Sequence, residues 1–298
     1  MFTGSLVAIV TPMRPDGSID PVAWSGLLDW HLAAGTAGIV IGGTTGESVT
    51  LTDPELAQLV TWARARLGGR LPIIAGVGGS STAVVAARAR ALDDSGADAL
   101  LVVTPAYNRP TQEGLYQHFA AVAAASRLPL VLYNVPSRTA VDMLPATVGR
   151  LAKLPRVVAV KEAVASMTRI RELLAATGAA FDVLSGDDAT AREAVAAGAR
   201  GVISVTANVA PEAMARMIAA ALNGDAAAAA AADASLAELH QALFAEANPI
   251  PVKWALAELG RIQAGIRLPL TPLSAAQQPV VRHALQTAQL WPATTVAT

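Results

Sequence analysis

Lys161 closes the apolar run Val157-Val158-Ala159-Val160 in a chain whose only other lysines are Lys153 and Lys253. A lysine at the end of a strand ordinarily reaches solvent along its own stem or pairs with a neighbour, here Glu162. The chemical alternative is desolvation, which disfavours the ammonium and frees an amine able to attack carbonyl carbon. Residue type alone favours the ordinary explanation, so the surrounding sequence has to decide.

Other chemistry-bearing residues follow similar apolar runs. Gly42-Gly43-Thr44-Thr45-Gly46-Glu47 supplies glycines that let a backbone approach a ligand, with two hydroxyls and open N–H groups suited to a carboxylate or phosphate. An ordinary glycine turn is the competing explanation. Two of the three tyrosines stand in Thr104-Pro105-Ala106-Tyr107-Asn108-Arg109-Pro110 and Tyr133-Asn134-Val135-Pro136-Ser137-Arg138-Thr139. Either could simply pack. An amine nucleophile, proton-shuttling phenols, an anion-binding turn and an arginine together fit Schiff-base chemistry on a keto acid.

Metal chemistry fits poorly. His31, His118, His240 and His283 lack ligand spacing, so packing or surface roles are expected of them. Asp187-Asp188, within Ser185-Gly186-Asp187-Asp188, is open to a cation or to structural hydrogen bonding. Cysteine is absent, which removes disulfides and thiolate nucleophiles. Positive and negative side chains nearly cancel and the arginines are scattered, so no nucleic-acid partner is expected. No basic leader or spanning apolar stretch is apparent; a protein of the cytoplasm without a membrane segment is expected.

The elements that must position these residues are short β-rich runs alternating with alanine-rich helical stretches, the pattern of βα units around a parallel sheet. Eight strands are expected: Ser5–Thr11, Gly38–Ile41, Ile73–Gly76, Ala99–Val103, Leu130–Tyr133, Val157–Lys161, Phe181–Ser185 and Gly201–Ser204. Helix starts are marked by Asp20-Pro21, Thr52-Asp53-Pro54-Glu55, Leu144-Pro145 and Ala210-Pro211-Glu212. The expected fold class is α/β, a (β/α)₈ TIM barrel over residues 1–224, whose strand ends would carry the site. An open doubly wound sheet is the alternative, but no Gly-x-Gly-x-x-Gly turn follows the first strand. Residues 225–298 are expected to form a C-terminal helical appendage packed on the barrel. It would comprise the alanine run bracketed by Asp225 and Asp233 with an apolar face through Leu236, Leu239, Leu243 and Phe244, then helices around Val252–Leu259 and Ala275–Leu290.

Gly43-Thr44-Thr45-Gly46-Glu47, the Tyr133–Thr139 segment, Val160-Lys161-Glu162-Ala163, Ser185-Gly186-Asp187-Asp188 and Asn248-Pro249-Ile250-Pro251-Val252-Lys253, in this order, resemble the dihydrodipicolinate (4-hydroxy-tetrahydrodipicolinate) synthase family. The resemblance covers essentially the whole chain. It implies condensation of pyruvate with L-aspartate 4-semialdehyde through an imine on Lys161, the first committed step toward diaminopimelate and lysine, with no external cofactor and no metal. Tyr133 would be the principal proton donor and acceptor, linked through Thr44 to Tyr107 of a neighbouring subunit. Thr45, with the N–H groups of Thr44 and Thr45, would hold the pyruvate carboxylate, and Arg138 that of the semialdehyde. Gly186 and Ile203 would line the pocket. The resemblance implies a homo-oligomer, at least a dimer and commonly a tetramer of two tight dimers. Whether Arg109 touches substrate or braces the mouth stays open.

One departure bears on regulation. Feedback-inhibited relatives bind lysine through an asparagine, a glutamate and a tyrosine where this chain has Ser80, Val84 and Ala106. Asp53 and Leu56, near Ser48, replace histidines, so weak or absent lysine inhibition is expected. Within the superfamily, an N-acetylneuraminate lyase or a keto-deoxy sugar acid aldolase is the alternative, against which Arg138 argues. A binding protein that has lost the reaction is the alternative of a different class, disfavoured by the intact Lys161, Tyr133, Thr44 and Arg138.

Overall fold

Eight short strands, each too apolar to face water on either side, have one economical arrangement, a closed parallel sheet with helices outside. In the computed structural model, which describes residues 1–291, the strands are β1 Gly4–Ala8, β2 Gly38–Ile41, β3 Ile73–Val77, β4 Ala99–Val103, β5 Leu130–Asn134, β6 Val157–Glu162, β7 Asp182–Ser185 and β8 Gly201–Ser204. Each pairs in parallel with the next, and β1 closes on β8 through Gly4↔Gly201 and Ser5↔Val202. The (β/α)₈ TIM barrel expected from the sequence is therefore the fold. The expected first strand was too long. Beyond Ala8 and one further backbone bond from Ile9 N–H to Val40, the chain turns away, with Val10 N–H donating to Asn208 and Thr11 Oγ1 to the Gly46 carbonyl.

Two apolar layers follow from the alternation of side chains along each strand. Inside the barrel, Leu6, Val40, Ile74, Leu101, Val131, Tyr133, Ala159, Leu184 and Ile203 form one packed cluster. Outside, Val7, Ile39, Ile73, Val102, Leu132, Val160 and Val183 meet helix residues such as Trp24, Leu59 and Phe119 in a second, larger one. The helices begin where their caps allow. Asp20 accepts from Val22 and Ala23 N–H at the start of Pro21–Ala33, and Thr52 with Glu55 completes a capping box for Asp53–Leu67.

After the barrel come helices Ala226–Ala242, Ile250–Glu258 and Gln278–Thr287. The alanine run is helical, capped by Asp225 on Ala228 N–H. Its expected apolar face is buried at Leu236, Leu239 and Leu243, whereas Phe244, which lies past the helix end, is half exposed. The last positions of the expected appendage, 292–298, lie outside the described residues.

Candidate active site

Lys161 reaches the barrel interior because of a flaw in the ladder. The β5–β6 register shifts between Leu130, opposite Val157, and Val131, opposite Ala159, leaving Val158 as the extra residue. Without it, Tyr133 would face Val160 and Lys161 would face Asn134. With it, Tyr133 pairs with Lys161, and in a parallel pair both side chains take the same face. That face is inward: Lys161 follows Ala159 by two residues and Tyr133 follows Val131, both inner-cluster members. Lys161 is 5% exposed and its Nζ lies 4.4 Å from the centroid of the Tyr133 ring.

Glu162 does not pair with this amine. One residue on, it faces out of the barrel, accepting from Asn134 Nδ2 at 3.1 Å and pairing with Arg169 at 3.3 Å. Burial pushes its carboxyl up, while Arg169 holds the carboxyl of neighbouring Asp142 down. This network braces the outer side of β6 and leaves Lys161 without a carboxylate in ion-pair range among the described residues. Behind the amine is Gly186. A Cβ there would stand 3.0 Å from Lys161 Cε and 3.1 Å from Ala163 Cα, contacts tight enough that the neighbours would have to give by a few tenths of an ångström.

The turn after β2 is built against the barrel end. At Gly76 a Cβ would fall 2.1 Å from the Gly42 carbonyl oxygen, so glycine is what allows β3 to pass under it. Within the turn, Gly46 and Ser48 N–H donate to the Gly43 carbonyl and Glu47 N–H to the Thr44 carbonyl. Among the described residues the N–H groups of Thr44 and Thr45 donate to no protein acceptor. Two consecutive open donors are suited to an anion. Thr44 and Tyr133 line a common cavity of about 380 Å³.

The helical tail holds this turn from the other side. Lys253 Nζ forms a buried ion pair with Glu47, whose second oxygen accepts from Arg267 N–H at 3.1 Å. Burial pulls the Lys253 pKa below its ordinary value despite the opposing pull of Glu47. Asn248 Nδ2 donates to Thr45 Oγ1 at 2.9 Å, and the Asn248 carbonyl accepts from Arg138 Nη2 at 3.2 Å. Arg138 sits on the short helix Pro136–Thr139 after β5, largely exposed at the mouth. Ile203, on β8, is buried in the inner cluster.

Tyr107 is the candidate that a single chain does not bring in. Its side chain is 93% exposed and its φ is 72°, a left-handed conformation unfavourable for a bulky residue. The loop is held there by Ser80 Oγ donating to the Ala106 carbonyl and Asn108 Nδ2 donating to the Ser80 carbonyl, both at 2.8 Å. Arg109, also at positive φ (46°), is exposed beside it.

The acidic pair after β7 braces its own loop and the one after β8. Asp188 accepts from Val205 and Thr206 N–H, both at 2.9 Å, and Asp187 from Thr190, so both serve as loop braces. His31, His118 and His240 are buried against Thr36, Thr82 and Thr206 respectively. Burial lowers the pKa of His31 to about 3 and that of His118 to about 4. Among the described residues no group of three or more His, Cys, Asp or Glu side chains could hold a metal ion. Nor is any described helix long and apolar enough to cross a membrane.

A TIM barrel that buries a lysine, unpaired among the described residues, against a strand-end tyrosine, with open N–H donors on the turn after β2, fits an enzyme of the lysine-imine, class I aldolase type. The comparisons specify the family. The chain belongs to the dihydrodipicolinate synthetase family, whose model matches residues 1–288. It is 53% identical over 286 residues to the 4-hydroxy-tetrahydrodipicolinate synthase of Alcanivorax borkumensis, covering 96% of this chain and 97% of that one. The Methylococcus capsulatus synthase is 52% identical, over 97% of this chain and 99% of the relative. Among solved structures, the chloride-inhibited dihydrodipicolinate synthase of Acinetobacter baumannii complexed with pyruvate matches with a TM-score of 0.96 at 48% identity. That match covers 98% of this chain and all of the other.

Proposed function

We propose that this chain condenses pyruvate with L-aspartate 4-semialdehyde to give 4-hydroxy-tetrahydrodipicolinate, the first committed step toward diaminopimelate and lysine. The observation that carries the proposal is the buried Lys161 side chain, without a carboxylate partner among the described residues and with its Nζ 4.4 Å from the Tyr133 ring centroid. The amine adds to the pyruvate ketone and the carbinolamine loses water to give a protonated imine. That imine draws electrons from C3, which loses a proton to become an enamine. The enamine carbon attacks the aldehyde carbon, and the aldehyde oxygen takes a proton to become the hydroxyl. The substrate amine then adds to the imine carbon, displacing Lys161 and closing the ring. The lysine supplies the electron sink, so the sequence requires neither external cofactor nor metal.

Residue roles follow the same reading. Tyr133 transfers protons to and from the carbinolamine and the hydroxyl, with Thr44 beside it in the cavity. Thr45 and the open N–H groups of Thr44 and Thr45 receive the pyruvate carboxylate, and Arg138 that of the semialdehyde. Gly186 and Ile203 shape the wall. Tyr107 acts across an interface between copies; a tyrosine held exposed at positive φ supports a homo-oligomer, at least a dimer and in our reading a tetramer. We take the protein to work in the cytoplasm, with residues 1–224 as catalytic barrel and 225–298 as a helical segment packed on it. Lysine inhibition should be weak or absent, because Ser80 is committed to the Ala106 carbonyl, Asp53 to Arg88, and Val84 offers no polar group.

Turnover is the test. Purified protein should consume pyruvate only when the semialdehyde is present and should not cleave N-acetylneuraminate or keto-deoxy sugar acids. Turnover of a sugar acid alone would overturn the substrate assignment.

A further inference from the structure

We propose that Asn248 is a positioning residue that fixes the two carboxylate-binding groups, Thr45 and Arg138, in one frame; this rests on the reading of those two residues given above. Asn248 belongs to the segment before helix Ile250–Glu258, far from both partners in sequence, and is 6% exposed. It holds one partner by side chain and the other by main chain, Nδ2 to Thr45 Oγ1 and carbonyl oxygen from Arg138 Nη2. The spacing between the two anion holders is thus set by the covalent geometry of a single residue.

Hydrogen-bond inventory gives the contact a direction. A threonine hydroxyl has one proton and two lone pairs. The Asn248 amide occupies a lone pair of Thr45 Oγ1, and among the described residues no protein acceptor takes the Thr45 proton. That proton is left for an anion beside the open N–H groups of Thr44 and Thr45. In the same way the Asn248 carbonyl engages one edge of the Arg138 guanidinium and leaves other N–H donors of its fork for a second carboxylate.

The bond to Thr45 is the one hydrogen bond the Asn248 side chain makes among the described residues. That single contact is with the residue proposed to hold the keto acid.

The test is borohydride trapping across a pyruvate titration, with steady-state kinetics alongside. In Asn248→Ala the pyruvate concentration for half-maximal trapping should rise roughly 10-fold, as for a weakened hydrogen bond to a charged group, with full labelling of Lys161 at saturation. The KM for semialdehyde should move less, since the main-chain carbonyl remains. Thr45→Val combined with Asn248→Ala should be no worse than Thr45→Val alone, because the asparagine acts through the threonine. If melting curves show that Asn248→Ala does not fold, Asn248→Asp keeps the shape, loses the donor and should show the same rise or a larger one. An unchanged half-saturation in a folded variant, or strictly additive effects in the double variant, would overturn the inference while leaving the proposed function standing. Absence of trapping in the unaltered protein would overturn both.

Discussion

Lys161 and Lys253 are buried to the same degree, 5% and 4% exposed, yet their surroundings are opposite. Lys253 comes from a tail helix and meets Glu47, itself fully buried and at a positive φ of 60°. Lys161 comes from a barrel strand, and its neighbouring carboxylate is turned outward to Arg169 and Asn134. Burial therefore does not distinguish the proposed nucleophile from a strut; the partner does. A lysine opposed by a carboxylate is held in place by it, while one with no carboxylate partner among the described residues, set against an aromatic face, is left free to reach a carbonyl.

Substitutions at each side of this contrast should separate chemistry from support. Lys161→Ala should lower turnover by ~10³-fold or more, as expected for a covalent nucleophile, with an unchanged melting temperature, because no ion pair is lost. Retained turnover would place the reaction on another amine. Lys253→Met should do the reverse, costing about 3–5 kcal/mol of stability by stranding Glu47 in the interior, and denaturant unfolding would measure it. The double variant Glu47→Gln with Lys253→Met should recover most of that loss; failure to recover would mean the pair is not the source of the cost. Gly186→Ala should lower kcat by about 10–100-fold, since a Cβ 3.0 Å from Lys161 Cε displaces the amine and small displacements of a reacting group are costly. A kinetically silent Gly186→Ala would show that the lysine's course is not limiting.

The elements that carry Lys161 are legible in the sequence. The eight apolar runs, their spacing and the polar residues at their ends were readable because fully buried parallel strands are nearly continuous in Val, Ile, Leu and Ala. That same continuity hid the direction of Lys161. In Val157-Val158-Ala159-Val160 no alternation marks inside from outside, and the one-residue shift opposite Leu130 and Val131 that turns the lysine inward leaves no signature in composition. Pairing of Lys161 with Glu162, the ordinary alternative on residue type alone, does not occur, because successive strand residues take opposite faces.

Long-range support was the least legible. The segment Asn248–Lys253 stood out as a motif, but its attachments to Thr45, Arg138 and Glu47 join residues more than a hundred positions apart through a fold that must first exist. Tyr107 follows a strand end in the sequence, but its 93% exposure and positive φ of 72° belong to the folded loop alone.

The most direct measurement is borohydride reduction in the presence of pyruvate, followed by intact mass and peptide mapping. One pyruvate-derived adduct per chain, located on Lys161, unchanged in a folded Lys253→Met variant and lost in Lys161→Ala, is the predicted result. An adduct on Lys253 or Lys153, or no adduct in a folded protein saturated with pyruvate, would contradict the account.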